Sequence, residues 1–402
     1  GEGVFMIEAA PIVSIVVAIY NGERYLRDSL DSLLAQTFPD FEIICVNDGS
    51  TDSSESIINE YAERDSRVKI VNQANGGVAS ARNAGIENAE GRYLLFCDDD
   101  DLFASNMLEA MVGTMERNNA DICIPNGYKL DMADNERVVD FNFINTKFLP
   151  EKECFSPRDA GKYLLNFPTF FIYKMYRLSF VREHGIFFDA RRAEEDALFF
   201  TQALLLSERI TVVKDRLFYY RVNAGDSVSD LIYQQDILAG YESMLTVKAL
   251  MMEYGMYEDA AFHQSYVNRA LTKTMDYRSR TKNFESLSTL FGKLVLEDGL
   301  NDMDLLGHEP DYYYNQQHYQ ELQALASSED AEEYLFYLFD TSRNNLVLEK
   351  RRNRDLKAKV TEQKKQLAKK TQEYKDFRAR AIPINPQLKK VLRKLRHPFS
   401  KK

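Results

Sequence analysis

The sequence predicts an α/β fold: a doubly wound, mostly parallel sheet flanked by helices, followed by a helical region and a C-terminal long helix or coiled coil. Three observations predict it. Apolar strands alternate with amphipathic helices up to about residue 126, at the spacing of parallel strands joined by crossover helices. Polar clusters stand at the carboxyl ends of those strands, which is where such sheets bind ligands. One of the clusters is Asp98-Asp99-Asp100-Asp101, four acids closing an apolar run.

Val13–Ile19 reads as the first strand, since a short continuous apolar run suits a parallel sheet covered on both faces; its helix follows over Glu23 to Ala35. Phe41–Val46 is the second strand, with a helix over Ser53 to Arg64. Val68–Val71 is the third, with a helix from Gly77 to Asn88. Tyr93–Phe96 is the fourth and carries the acids; a helix near Ser105 to Asn118 and a strand at Asp121 to Pro125 come after it. From 127 to about 230 the alternation fades and aromatics accumulate (Phe167, Phe170, Phe171, Tyr173, Tyr176), which reads as the second half of the same domain. From Leu231 to about Phe339 Tyr and Leu recur at three-to-four spacing, a helical pattern, although Asn301 to Glu321 is polar and declares no structure.

A charged helix is expected over Ser342 to Arg380. Leu346, Asn353, Val360, Leu367 and Tyr374 recur every seven residues, with Leu356 and Phe377 at companion positions and Glu349, Gln363 and Lys370 interrupting them. A seam for a second copy, with Asn353 fixing register, and a solvated stalk of intrahelical ion pairs both fit this pattern. Pro383 and Pro386 end the helix. Beyond them Leu388, Val391, Leu392 and Leu395 form an apolar stripe among Lys389, Lys390, Arg393, Lys394 and Arg396, which suits an anionic membrane surface; a frayed tail is the alternative. The expected divisions are an N-terminal extension (1–10), an α/β domain (11–230), a helical domain (231–340), the long helix (341–380) and the basic tail (381–402).

Composition narrows the classes. The chain is 402 residues long and 45% hydrophobic, enough for a large core and against wholesale disorder. No stretch approaches the ~20 apolar residues of a membrane-spanning helix. The opening Gly1 to Phe5 before Met6 reads as an appended extension and lacks the zones of a signal peptide. Cys45, Cys97 and Cys123 sit in strand-like runs and no C-x-x-C occurs with Cys154, so small buried thiols in a reducing, cytoplasmic compartment are expected. The net charge of −11 is uneven: Arg343 to Lys402 holds 21 basic and 5 acidic residues, the remainder 30 and 57. An acidic body with so few stacking aromatics in its basic tail argues against nucleic acid as a partner.

The chemistry gathers at the strand ends. Four adjacent acids repel one another in any dry place, and a divalent cation such as Mn²⁺ or Mg²⁺, shared with a substrate's phosphates, would offset them; a solvated turn capping the next helix is the plain alternative. Tyr20-Asn21 and Asn47-Asp48-Gly49-Ser50-Thr51-Asp52 end the first two strands. Asp48 could accept a hydrogen bond from a ring N–H such as N3 of uracil and Tyr20 could stack on the base, while the same residues are also turn and helix-cap vocabulary. Arg82, in the first turns of the helix after Gly76-Gly77, could meet a base or phosphate or only pack.

Four motifs in order carry a resemblance: Val17-Ala18-Ile19-Tyr20-Asn21, Val46-Asn47-Asp48-Gly49-Ser50-Thr51-Asp52, Gly77 through Asn83-Ala84-Gly85, and Phe96 through Asp101. Over about Pro11 to Ser229 the chain resembles glycosyltransferase family 2, the inverting family with the GT-A fold. The resemblance implies a metal-dependent transfer of sugar from a nucleotide-sugar donor, of which UDP-sugars are the first expectation. By resemblance Asp48 contacts the base, Asp98 faces the ribose, Asp100 holds the metal with Asp98, and Asp99 fills the middle of the D-x-D. The family's general base is an acid after the metal motif, commonly in an E-D pair; Glu194-Glu195-Asp196 matches, with Asp196 as base and Glu195 as runner-up. Tyr173 to Arg177 matches the stretch beneath the acceptor. Tyr219 to Val222 and Asp226 to Ser229 resemble the loop over the donor phosphates, where Arg221 would neutralise the leaving diphosphate; the basic residue common around Asn223 to Gly225 is missing here. The tail and the family's habits point to a saccharide, lipid-linked or cell-envelope polymer acceptor at the inner face of a membrane. A nicotinamide oxidoreductase is excluded because no G-x-G-x-x-G follows the first strand; P-loop and nucleotidyltransferase motifs are absent too. A catalytically degenerate domain serving as an assembly scaffold remains the non-enzyme alternative.

Overall fold

The computed structural model describes residues 10–134, 137–139, 141, 143–144, 146–167, 172–189, 194–222 and 236–344, with positions 354, 357, 359, 361–366, 369 and 372 beyond. The chain divides into two compact units, 1–331 and 332–402.

The first unit opens with the expected alternation: β1 (Val13–Ile19), α1 (Leu26–Leu34), β2 (Phe41–Asp48), α2 (Ser54–Arg64), β3 (Val68–Gln73), α3 (Val78–Asn88) and β4 (Tyr93–Asp98). Each strand is buried along nearly its whole length in β1, β2 and β4, as the unbroken apolar runs require. α1 buries Leu26, Ser29, Leu30 and Leu33, one stripe at helical spacing. Then come β5 (Leu102–Phe103), α4 (Met107–Asn118), β6 (Ile122–Asp131), β7 (Arg137–Val139), β8 (Cys154–Phe155), α5 (Pro157–Ala160), β9 (Met175–Arg177), α6 (Leu178–Glu183), α7 (Glu195–Leu206) and β10 (Ile210–Val222).

The ten strands among the described residues form one sheet, ordered β3-β2-β1-β4-β9-β6-β10-β5, with β7 on β6 and β8 on β10. β1 to β4 pair in parallel; β9 runs antiparallel between β4 and β6, and β10 returns parallel to β6. One expectation is corrected here: the strand expected to end at Pro125 runs on to Asp131. The region after 127, expected to belong to the same domain, contributes strands to the same sheet. Pro125 misled because the register against β10 slips between Val213 and Arg216, just past the proline, so the local pattern breaks while the pairing continues.

The helical part that follows is α8 (Ala239–Glu253), α9 (Ala260–Arg280), α10 (Phe284–Phe291), α11 (Gly299–Asp302) and α12 (Gln316–Ser327). The polar stretch at 301–321 resolves into the end of α11, a short turn at Pro310–Tyr312 and the start of α12, whose first N–H groups are capped by Asn315. In the second unit residues 332–344 are helical. The seam positions Leu346, Asn353, Val360, Leu367 and Tyr374, the basic tail and the first nine residues lie outside the described residues. Among the described residues no helix is long and apolar enough to cross a membrane. The four cysteines are free thiols, three of them buried in strands.

Candidate active site

The turns after β1 and β2 are laced together. Asn21 sits in the left-handed region (φ 55°), its Oδ1 accepting from the Thr51 N–H (2.8 Å) and hydroxyl (3.3 Å), while its own N–H donates to Ser50 Oγ (3.1 Å). The Gly22 N–H donates to Ser54 Oγ at 2.9 Å, the Glu23 N–H to Asp52 Oδ2 at 3.1 Å, and the Ser53 N–H back to Glu23 Oε2 at 2.9 Å. Asn21 therefore holds the loop, and Tyr20 beside it stands 53% exposed at the open edge. Asp48 is buried at the end of β2. Its Oδ1 accepts from Gln73 Nε2 (2.7 Å) and the Gly76 N–H (2.8 Å), its Oδ2 from the Gly77 N–H (2.9 Å). Each carboxylate oxygen can accept twice, so Oδ2 keeps one lone pair for a ligand. Gly77 needs its freedom: at φ +85° it turns the chain into α3 while both glycine N–H groups reach Asp48.

The acidic run splits by direction. Asp98, Asp100 and Asp101 each bring a carboxylate oxygen within 4.8 Å of the others. Asp99 leaves that group and lies under the β1–α1 turn, where a Cβ on Gly22 would come within 2.0 Å of its Oδ2. Asp101, fully buried, accepts from the Tyr173 hydroxyl and, at 2.7 Å, from the Arg221 N–H. Neither Asp101 as a third member nor Tyr173 as its partner was singled out by sequence; four acids in a row and an aromatic 72 residues on were the only signals. Burial first, and then repulsion from neighbouring acids, pushes Asp99 and Asp101 well above the usual carboxylate range and Asp100 up to about 6. Arg221 draws Asp100 and Asp101 back down. Its guanidinium is buried between Asp28 (3.1 Å) and the Tyr25 ring (4.4 Å) on the α1 side of the sheet. The lid residues expected at Asp226 to Ser229 lie outside the described residues.

α3 joins the two acidic groups. The Arg82 guanidinium lies 3.4 Å from Asp98 and 3.6 Å from Glu195, with the Phe188 ring 5.6 Å beneath it. Asn83 next to it clamps the backbone of Phe188, donating to its carbonyl (2.8 Å) and accepting from its N–H (2.9 Å). The Phe188 ring stacks on Phe199 of α7 at 4.2 Å and 4°. Asn83 was part of a recognised motif, but its partner 105 residues away was invisible to sequence. Glu195 and Asp196 form the first turn of α7. Burial raises both carboxyls; Arg82 opposes the rise in each. Lys174, buried beneath, has its Nζ 4.3 Å from the Phe200 ring, and burial pushes it well below the usual lysine range. Tyr20, Arg82, Asp98, Asp100, Glu195 and Asp196 thus share one edge of the sheet; Asn21 and Arg221 point into the scaffold, and Asp99 under the loop.

The sequence profile described as glycosyl transferase family 2 matches residues 14–185. The chain is 34% identical over 229 residues to EpsJ, an uncharacterized glycosyltransferase of Bacillus subtilis (strain 168), a match covering 56% of this chain and 64% of that protein, just under two thirds of its length. It is 31% identical over 244 residues to the glycosyltransferase GlyG of Streptococcus pneumoniae serotype 4, covering 58% of this chain and 80% of GlyG. Residues 1–349 of S. aureus TarS share the fold at a TM-score of 0.57 and 22% identity, over 80% of this chain and 89% of that one.

Proposed function

Because this chain belongs to glycosyltransferase family 2, we propose that it transfers a sugar, with inversion, from a nucleotide-sugar donor to a hydroxyl of a saccharide or lipid-linked cell-envelope polymer. A UDP-sugar is the first donor to test. The observation that carries the reading is Arg82, which ties the Asp98 cluster to Glu195 on one open edge. Donor and acceptor chemistry need that adjacency.

In this reading Asp48 accepts from the base through its remaining lone pair, Tyr20 stacks on it, and Asn21 holds the turn that presents both. Asp98 faces the ribose. Three clustered carboxylate oxygens are the hard donor set that Mn²⁺ or Mg²⁺ prefers, so Asp98 and Asp100 would hold the ion, with Asp101 as a third oxygen. Such an ion, when bound, offsets charge on the leaving nucleoside diphosphate. Arg82 supplies a fixed cation on the same edge. Arg221 acts from behind as a counter-charge to Asp100 and Asp101, in place of direct contact with the diphosphate. Asp196 takes the proton of the attacking hydroxyl, and its raised proton affinity makes it a better base near neutral pH; Glu195, bound to Arg82, is the runner-up.

The decisive experiment screens UDP-, GDP- and dTDP-sugars with Mn²⁺, first by thermal shift and then by donor hydrolysis. A donor that stabilises the protein and is turned over, with activity lost in EDTA, is the expected result. Silence toward every donor would favour the scaffold reading, and full activity in EDTA would remove the metal. The tail's cationic stripe supports a peripheral place on the cytoplasmic face of a membrane, and the heptad seam supports self-association.

A further inference from the structure

Glu194 begins α7 in an unusual way. It is left-handed (φ 59°, ψ 38°), a conformation that side chains other than glycine's adopt at a cost, and its side chain makes no cap on the helix it starts. The side chain turns away into the helical part of the unit and is 9% exposed. There Oε1 accepts from Lys273 Nζ at 2.7 Å and from the Tyr277 hydroxyl at 2.9 Å, while Oε2 is buried with no hydrogen-bond partner among the described residues. Lys273 and Tyr277 are one turn apart on α9 and so share a face. The Tyr277 ring packs closely on Gly240 of α8, where an added Cβ would stand 2.4 Å from it.

We propose that Lys273 and Tyr277 are positioning residues for the acceptor-activating carboxylate, acting through Glu194 to fix the first turn of α7 on which Glu195 and Asp196 stand. The inference rests on the transferase reading above and gives the helices after the sheet a role in it. Without a tether, three consecutive acids would repel one another and a left-handed Glu194 would relax toward an ordinary cap. A buried ion pair holds it instead. The charged groups around Asp196 are Glu194 and Glu195 on its own segment, Arg82 of α3, Lys174 before β9, and Lys273 of α9. Lys273 favours the ionised form of Asp196 and Glu194 disfavours it, so removing one or the other moves its titration in opposite directions.

The test is kcat and KM for turnover of a donor found active, against pH, in wild type, Lys273→Met, Lys273→Arg, Glu194→Gln and Tyr277→Phe. Lys273→Met should lower kcat about tenfold or more, since small misplacement of a reacting group is expensive, with donor KM within about twofold. Its acidic limb should move to higher pH, that of Glu194→Gln to lower pH, and Lys273→Arg should recover most of the rate. A folded Lys273→Met with wild-type kcat and pH profile, or limbs that move the same way in both variants, would overturn the proposal. Should Lys273→Met not fold, Tyr277→Phe decides: it keeps the ion pair and should cost about threefold in kcat, and no change would refute the role. An inactive wild type would sink the transferase reading and this inference with it; an active wild type indifferent to these changes sinks this inference alone.

Discussion

At the scale of single residues, the site is a set of acids held against their own repulsion. Asp100 carries its proton up to about 6 in the folded chain, against about 4 for a free aspartate. The folded state therefore binds that proton more tightly than the unfolded state. The metal-free protein should lose stability as pH rises through about 4 to 6. Asp100→Asn removes the charge. In EDTA at pH 7.5 it should be more stable than wild type by about 1–2 kcal/mol after screening, with a flatter stability profile, and Mn²⁺ should raise its melting temperature far less. A variant less stable than wild type under those conditions would show that the carboxylate is not strained. Asp196→Asn should leave donor-induced stabilisation intact and reduce transfer by about 10²–10⁴-fold; preserved turnover would pass the base to Glu195. The acids themselves were legible in the sequence because they stand in one run. Asp101's bond to Tyr173 and Asp48's double hold on the glycine turn were not, since each depends on a partner that only the sheet's topology brings near.

At the scale of elements, α3 decides whether the two acidic groups meet. Its buried residues are mostly small, Ala79, Ala81 and Gly85 beside Ile86. A Cβ on Gly85 would lie 2.2 Å from Val16 Cγ1 of β1. Gly85→Ala gains up to ~1 kcal/mol of helix propensity, yet the collision should outweigh it and leave a net loss of about 1–2 kcal/mol in urea unfolding. Val16→Ala should be less damaging in the Gly85→Ala background than alone, a coupling that a double-mutant cycle measures; strict additivity would deny the contact. Because Arg82 and Asn83 ride on the same helix, Gly85→Ala should also lower kcat. The strands β1, β2 and β4 could be read because each is one nearly unbroken buried run, and the half-exposed β3 because its short stretch stands at the spacing of the strands around it. β10 could not: its register slips twice against β6, so its thirteen residues show no continuous alternation. That same strand turns Arg221 toward Asp28 and Tyr25, neighbours that the motif gave no sign of.

At the scale of the whole molecule, charge is divided along the chain. Residues before Arg343 hold 57 acids against 30 bases, and residues 382–402 hold seven bases and no acid. A body of that sign is repelled by anionic lipid, so any attraction has to come from the tail. Each Lys or Arg near such a surface contributes about 1 kcal/mol, and the apolar stripe of Leu388, Val391, Leu392 and Leu395 adds buried area, against a repulsion from the body that salt screens within about 10 Å at 0.1 M. The tail's attraction, gained at the lipid surface itself, should exceed the body's screened repulsion. Deleting 382–402 should therefore lower co-sedimentation with phosphatidylserine vesicles by about tenfold or more, while binding of the intact chain weakens with added salt. Hydrolysis of a soluble donor should be unchanged by the deletion, because every proposed catalytic group lies before residue 222. If the truncated and intact chains sediment alike, the tail has no membrane role, and an acceptor drawn from the lipid surface loses its main support.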